Sequence, residues 1–303
     1  MILRENKKLN NKVVTSIIIT FIALTAIGSF AMDGGFSEKQ ILRISTTTSL
    51  EDTVLLYELE TAFEKKNPNI DVQIVSAGTG IALEYGKKGD VDLVIVHDKK
   101  REIEFVEEGF GTKRYPFAYN YFYIVGPAND PAKINGMSNA TQVFSTIIKA
   151  GVNDPELIKF ISRGDNSGTN FRELKIWNNT GTDYNTSVNG SEWYVETGKG
   201  MGDTLVIANE KQAYTISDSG TFLAFKGEIK LVPYVTSGKD LLNIYSAIPV
   251  NPTKIDGVNN EAAMKFVNFL QSKEGQELIG SYGKKEYGQT LFIPLFGKRE
   301  PNS

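Results

Sequence analysis

The chain has 303 residues, 41% hydrophobic and 23% charged, with a formal net charge of −3. That length and balance allow a globular protein of two ordinary lobes with a sizeable core. Cysteine is absent and histidine occurs once, at His97. Disulfides, thiolate metal sites and cysteine nucleophiles are therefore excluded, and a histidine-built metal centre or a serine–histidine pair is hard to assemble.

Arg4, Lys7, Lys8 and Lys12 precede an apolar run over residues 13–32. A basic start and an apolar core ending in small residues read as a secretory signal cut after Ala31, or as an uncleaved N-terminal membrane anchor. Residues 1–32 are assigned to that address. No cysteine follows, so a lipoprotein anchor is excluded. Removing residues 1–31 takes away four basic residues and one acidic residue and leaves a charge of −6. Such a chain suits neither nucleic acid nor an anionic membrane surface, so membrane contact is expected only through the N-terminal segment. Four N-glycosylation patterns, starting at Asn139, Asn178, Asn185 and Asn189, are consistent with export or with chance in an Asn-rich loop.

The stretch 41–56 follows, read ILRISTTTSLEDTVLL. It predicts a strand over 40–45, a tight turn and a helix over 51–66 ended by Asn67-Pro68. One hydroxyl at a helix start is an ordinary cap, whereas Thr46, Thr47, Thr48 and Ser49 in succession exceed what a cap requires. A helix start offers unpaired N–H groups and partial positive charge, so added hydroxyls make a cup for an oxyanion. Residues 70–76 alternate like a strand. The turn at 77–80 leads to a helix over 81–88, a buried strand over 91–96 and a helix over 100–108. This alternation implies a mostly parallel sheet covered on both faces. The aromatic run 115–125 reads as a strand leaving one lobe for another.

The second lobe is expected to hold a helix over 138–151, a short helical piece over 155–159, and a strand at 160–162 that runs into RGDNSGT. Next come a helix over 170–177, a polar loop, an extended stretch over 193–197, GKGMG and a helix over 203–209. Strands at 213–217 and 231–234 flank a turn and helix over 218–225. Residues 243–249 read as the return crossing. The helix 261–274 packs back on the first lobe with Phe266, Phe269 and Leu270 on its buried side. Two crossings between two α/β lobes make a hinged clamp. The expected limits are 38–121 plus 243–303 for lobe 1 and 122–242 for lobe 2.

Four glycine- or hydroxyl-rich turns, at 46–49, 76–80, 163–169 and 198–202, each follow an extended segment and precede a helix. In open α/β sheets ligands bind at the carboxyl ends of strands. Arg163 adds the only fixed fork-shaped charge among these turns, and Asp165 is placed to hold it or merely to pair with it at the surface.

The motifs TTTS-x-x-D, GTGxALxxGxxGDxDxxxVHD, SRGDxSGTxxxE, TGxGMGxTLxxAxE and YTxxDxGT together resemble the tungstate-binding receptors of tungstate-specific ABC importers, from about Ile41 to Gln289. The resemblance implies an α/β, two-lobed type II periplasmic-binding-protein fold, with mixed sheets covered by helices and a two-strand hinge. It implies a bound tungstate or molybdate oxyanion, delivery to a permease and its ATPase, an exported monomer, no cofactor, and no metal except within the oxyanion. By position it assigns ligand binding to Thr47, Thr48, Ser49, Thr79, Gly80, Arg163, Ser167, Gly168, Thr169, Gly200, Met201 and Gly202. One departure is Ser219, where the family commonly has arginine after the aspartate matched by Asp218.

Other readings stay open. One is a receptor for a different oxyanion, phosphate or sulfate; protonated phosphate would need an acceptor for its own O–H, and Asp98 is the candidate unless it merely caps the next helix. An exported hydrolase on the same scaffold would lack a G-x-S-x-G elbow, a cysteine and a nucleophile near His97 in sequence.

Overall fold

The computed structural model describes residues 39–295 and 297–301; the expected signal or anchor segment lies outside them. Strand β1 (Gln40–Thr47) is buried without a break from Ile44 onward, as a strand with neighbours on both sides must be. It pairs in parallel with β2 (Ile70–Ala77) and with β3 (Leu93–Val96). Helix α1 (Thr48–Glu51) is a single turn, followed by α2 (Leu55–Lys66). Leu55, Leu56, Leu59 and Phe63 form the buried stripe of α2. Helix α3 (Thr79–Lys88) leads into β3, and α4 (Lys99–Glu107) follows it.

The long strand β4 (Tyr115–Gly126) then leaves this region. Beyond it lie α5 (Ala140–Asn153), β5 (Phe160–Ser162), α6 (Gly168–Asn179), α7 (Tyr184–Ser187) and β6 (Tyr194–Glu196). Next come α8 (Met201–Glu210), β7 (Thr215–Asp218), α9 (Ser219–Phe225) and β8 (Val232–Val235). Strand β9 (Leu242–Pro249) returns, and α10 (Asn260–Leu270), α11 (Lys273–Ser281), α12 (Lys284–Tyr287) and β10 (Ile293–Pro294) complete the described chain. The main sheet runs β10-β4-β9-β3-β1-β2, with β7 and β8 on the far half of β4. Strand β4 pairs with β9 up to Tyr121 and with β7 from Phe122 onward. Strand β4 therefore runs through both sheet regions, and β9 pairs with its first half where the chain returns.

The larger core cluster joins Leu42, Ile44 and Phe63 to Phe266 and extends to Met201 and Phe222. A second, aromatic cluster holds Phe144, Phe160, Trp177, Trp193 and Tyr194. At its centre the buried carboxyl of Glu173 accepts hydrogen bonds from Ser162, Trp177 and Tyr194. Those bonds tie α6 to β5 and β6, and so hold both ends of the turn that carries Arg163. Burial pushes the Glu173 carboxyl up to about 7.

Four expectations are corrected. The sheet is mixed, as the family resemblance implies, and not mostly parallel as the strand–helix alternation suggests, because β9 returns antiparallel between β3 and β4. The piece 155–159 is a turn rather than a helix, with Asp154 accepting from the Leu157 amide. The helix expected over 261–274 ends at Leu270, and the Ser272 side chain caps α11 instead; Phe266, Phe269 and Leu270 are buried as expected. The helix expected over 51–66 is broken before Leu55. Thr53 Oγ1 donates to the Leu50 carbonyl, and Val54 adopts φ 61°.

A β-branched residue in the left-handed region costs about 1–2 kcal/mol, and Val54 is half exposed, so little packing offsets that strain. Val54→Gly is therefore expected to raise stability by about 0.5–1 kcal/mol after the entropy of a glycine is subtracted. A thermal melt checks this, and a lower Tm would mean that the valine's contacts outweigh its strain.

Candidate functional site

The four turns meet at the ends of their strands. In the first, Thr46 Oγ1 donates to the Ile95 carbonyl and serves the sheet. Thr47 caps α1, accepting from the Leu50 amide. Thr48 Oγ1 accepts from Arg163 Nη2 at 3.1 Å. Ser49 Oγ lies 3.0 Å from His97 Nε2. In the second turn, Thr79 Oγ1 accepts from the Gly168 amide at 3.1 Å, so this contact also joins two of the turns.

The third turn presents the charge. Arg163 Nε and Nη2 donate to Asp165 Oδ2, while Asp165 Oδ1 accepts from the Ser167 amide. Gly164 has φ 59°, and a Cβ there would lie 2.6 Å from Glu196 Cβ, so only glycine fits. Ser167 caps α6. A Cβ on Gly168 would lie 2.9 Å from His97 Cε1, which is why α6 starts with glycine where it meets the other turns. In the fourth turn Gly200 caps α8, and the Gly202 amide meets the Asp52 carboxylate. The Met201 side chain belongs to the core, so only its backbone is available to a ligand.

A cleft of about 310 Å³ opens among Thr48, Gly80, Arg163, Asp165, Gly198 and Gly200. Beside it, two buried donors lack partners. Arg163 Nη1 and Thr169 Oγ1 make no hydrogen bond, and the arginine is 2% exposed. A buried charged donor left unpaired is costly, which favours an acceptor coming to it. The structure thus brings Thr48, Thr79, Gly80, Arg163, Gly168, Thr169 and Gly200 to one junction. Thr47 and Ser167 use their oxygens as caps, and Ser49 turns toward His97.

Several neighbours were not marked by the sequence. Arg101 of α4 donates to the Asn166 carbonyl and lies over the Phe171 ring at 3.5 Å. Asp52 and Asp218 are close enough to feel Arg163. Burial, with the Asp218 charge second, pushes the Asp52 carboxyl up to about 6, and burial also raises Asp218. Both stand in the motifs quoted above, but nothing local shows that they face Arg163. His97 Nδ1 lies 2.8 Å from Asn243 Oδ1, and Asn243 Nδ2 donates to Asn120 Oδ1. A polar residue inside each apolar crossing strand is the signal that could have found Asn120 and Asn243. Asp98 caps α4, accepting from the Arg101 amide, which bears out the capping reading. Among the described residues no group of three or more His, Asp or Glu is arranged to hold a metal ion.

Comparison with known proteins gives the family and the fold. The family model described as a PBP superfamily domain matches residues 33–274. The tungstate-binding protein TupA of Peptoclostridium acidaminophilum is 39% identical, over 94% of this chain and 98% of its own length. Its namesake from Campylobacter jejuni is 35% identical over 81% of this chain and 87% of its own. The crystal structure of the tungstate ABC transporter from Geobacter sulfurreducens superposes with a TM-score of 0.70 at 43% identity, covering 80% of this chain and 98% of that one.

The raised Asp52 carboxyl makes a pH prediction. The unfolded group titrates near 3.8 and the folded one near 6, so its protonated form is favoured by folding and stability falls as pH rises between those values. Asp52→Asn removes that loss. It is expected to leave Tm unchanged at pH 4 and to raise it above pH 6; melts across that range showing the reverse trend would contradict the assignment.

Proposed function

This chain belongs to the PBP superfamily and, within it, to the tungstate-binding proteins, and on that premise we propose that it is the extracytoplasmic receptor of an ABC importer that captures tungstate or molybdate between its lobes. Its partners are the importer's permease and ATPase; it is a monomer without enzymatic activity. The lobe limits are 38–121 with 243–303, and 122–242. The change of partner along β4 at Tyr121 and Phe122, and the start of β9 at Leu242, support those limits. Among the described residues no helix is long and apolar enough to cross a membrane.

The observation that carries the reading is the buried, unpartnered Nη1 of Arg163, with the unpartnered Thr169 hydroxyl on the same turn. A tetrahedral dianion without a proton accepts hydrogen bonds from every direction and donates none. Arg163, the hydroxyls of Thr48, Thr79 and Thr169, and the starts of α3, α6 and α8 supply only donors. Each bond to a charged group contributes roughly 1.5–3 kcal/mol net, so several reach about 12 kcal/mol, nanomolar affinity, after binding costs. Asp165 positions the guanidinium, and both of its oxygens are occupied. Asp98 is engaged as a cap. Protein donors already engage both carboxylates, which makes them poorer acceptors for the proton of a phosphate and supports the bare oxyanion.

One observation favours a second reading. Ser49, His97 and Asn243 stand in the order of a nucleophile, a base and an orienting group. Burial pushes His97 down to about 4, with the charges of Arg163 and Arg172 acting in the same sense. That is far below the range a general base needs near neutrality, and Ser49 is 1% exposed. The binding reading is therefore preferred, and the purified protein is expected to give no acyl-enzyme burst with an activated ester.

Titration calorimetry with tungstate, molybdate, sulfate and phosphate tests the proposal. Tungstate and molybdate are expected to bind. Arg163→Ala is expected to weaken them by roughly 100-fold or more, the equivalent of one or two charge-assisted bonds, with the fold retained. Heat from phosphate alone would move the assignment to a phosphate receptor, and unchanged affinity in the variant would remove Arg163 from the site.

A further inference from the structure

The only histidine of the chain sits in a buried line of hydrogen bonds that links the first turn to both crossing strands. Burial and two nearby guanidinium groups keep its imidazole neutral, so one ring nitrogen carries hydrogen and the other a lone pair. Asn243 presents Oδ1 to Nδ1, and its Nδ2 donates to Asn120 Oδ1 and to the Tyr245 hydroxyl oxygen, both at 2.9 Å. The hydrogen is thus on Nδ1. Nε2 then accepts from Ser49, whose hydroxyl hydrogen is spent inward. In this state Ser49 offers an anion only lone pairs.

The line can also run the other way. With the Asn243 and Asn120 amides turned over, Asn120 Nδ2 and the Tyr245 hydroxyl donate to Asn243 Oδ1. Asn243 Nδ2 donates to His97 Nδ1, Nε2–H donates to Ser49 Oγ, and the Ser49 hydroxyl hydrogen is freed from the line, with Thr47 Oγ1 3.3 Å from Ser49 Oγ. Both directions contain four hydrogen bonds among these five side chains. Asn120 Nδ2 has no partner in the present direction and gains one in the other. Two arrangements with equal bond counts form a bistable element, which a ligand interacting with only one of them can bias. Asn120 and Asn243 face each other across β4 and β9, one residue before Tyr121, where β4 last pairs with β9.

We propose that oxyanion binding reverses this line, His97 passing from the Nδ1–H to the Nε2–H tautomer, and that His97 is the positioning residue that turns Ser49 into a donor. The imidazole carries one hydrogen in both states, Nδ1 giving a proton to solvent as Nε2 takes one from it, so no net proton is taken up or released. The inference rests on the oxyanion reading above.

Because there is one histidine, long-range proton–nitrogen spectra of the uniformly ¹⁵N-labelled protein report a single imidazole. The free protein is expected to carry hydrogen on Nδ1. The protein saturated with tungstate, or with whichever of the four oxyanions gives heat, is expected to carry it on Nε2. Ser49→Ala is expected to bind roughly 10–100-fold more weakly, one charge-assisted donor having been lost, and to keep Nδ1–H when saturated. An unchanged tautomer in wild-type protein with calorimetric binding intact would overturn this inference alone, as would reversal in Ser49→Ala. No heat from any oxyanion would overturn it together with the receptor assignment.

Discussion

A buried guanidinium that is held but not satisfied is the constraint on which this structure turns. Asp165 takes Nε and Nη2 of Arg163, and Thr48 takes Nη2 from another strand end, 115 residues away in the chain. Nη1 is left in a place that water does not reach. Removing such a group from solvent costs several kcal/mol, and a single carboxylate returns only part of it. An acceptor entering the junction would recover the remainder, which is the physical basis of the proposed anion site.

The rest of the fold keeps that charge in place. Glu173, on the helix that follows the Arg163 turn, is bound through buried hydrogen bonds to Ser162 of β5, at the start of that turn, and to Tyr194 of β6. Gly164 and Gly168 permit close approaches that a side chain would block, one to Glu196 and one to His97. Arg101 reaches from α4 to the Asn166 carbonyl beside the same turn. The contacts to Tyr194, Glu196, His97 and Arg101 come from elements outside the turn, so tertiary packing adds to the turn's own hydrogen bonds in positioning it.

The electrostatics explain why hydroxyls rather than further cations surround the arginine. Asp52, Asp165 and Asp218 already lie around it, and burial raises the first and last. Burial thereby opposes the build-up of negative charge around the guanidinium. Selection then rests on direction: donors on every side suit an anion that carries no hydrogen, and a neutral His97 decides which way at least one hydroxyl points.

Much of this was legible from residues alone. Strand and helix periods gave most elements within a few residues, because burial on one face leaves a local pattern. The run of hydroxyls before an apolar helix and the RGDNSGT turn marked donors, because caps and turns are chemistry between neighbours in the chain. The break at Val54 and the cap at Ser272 rest on local hydrogen bonds that helical periodicity did not distinguish. The pairing of β9 between β3 and β4 was not legible from local pattern, since it is settled by contacts over longer range. The same holds for the line from Ser49 through His97 to Asn243, whose members are 48 and 146 residues apart. Composition and local order determined which groups could bind an oxyanion. Only the folded chain decided which of them meet, because hydrogen bonds between distant residues depend on strand register and on which side chains are deprived of water together.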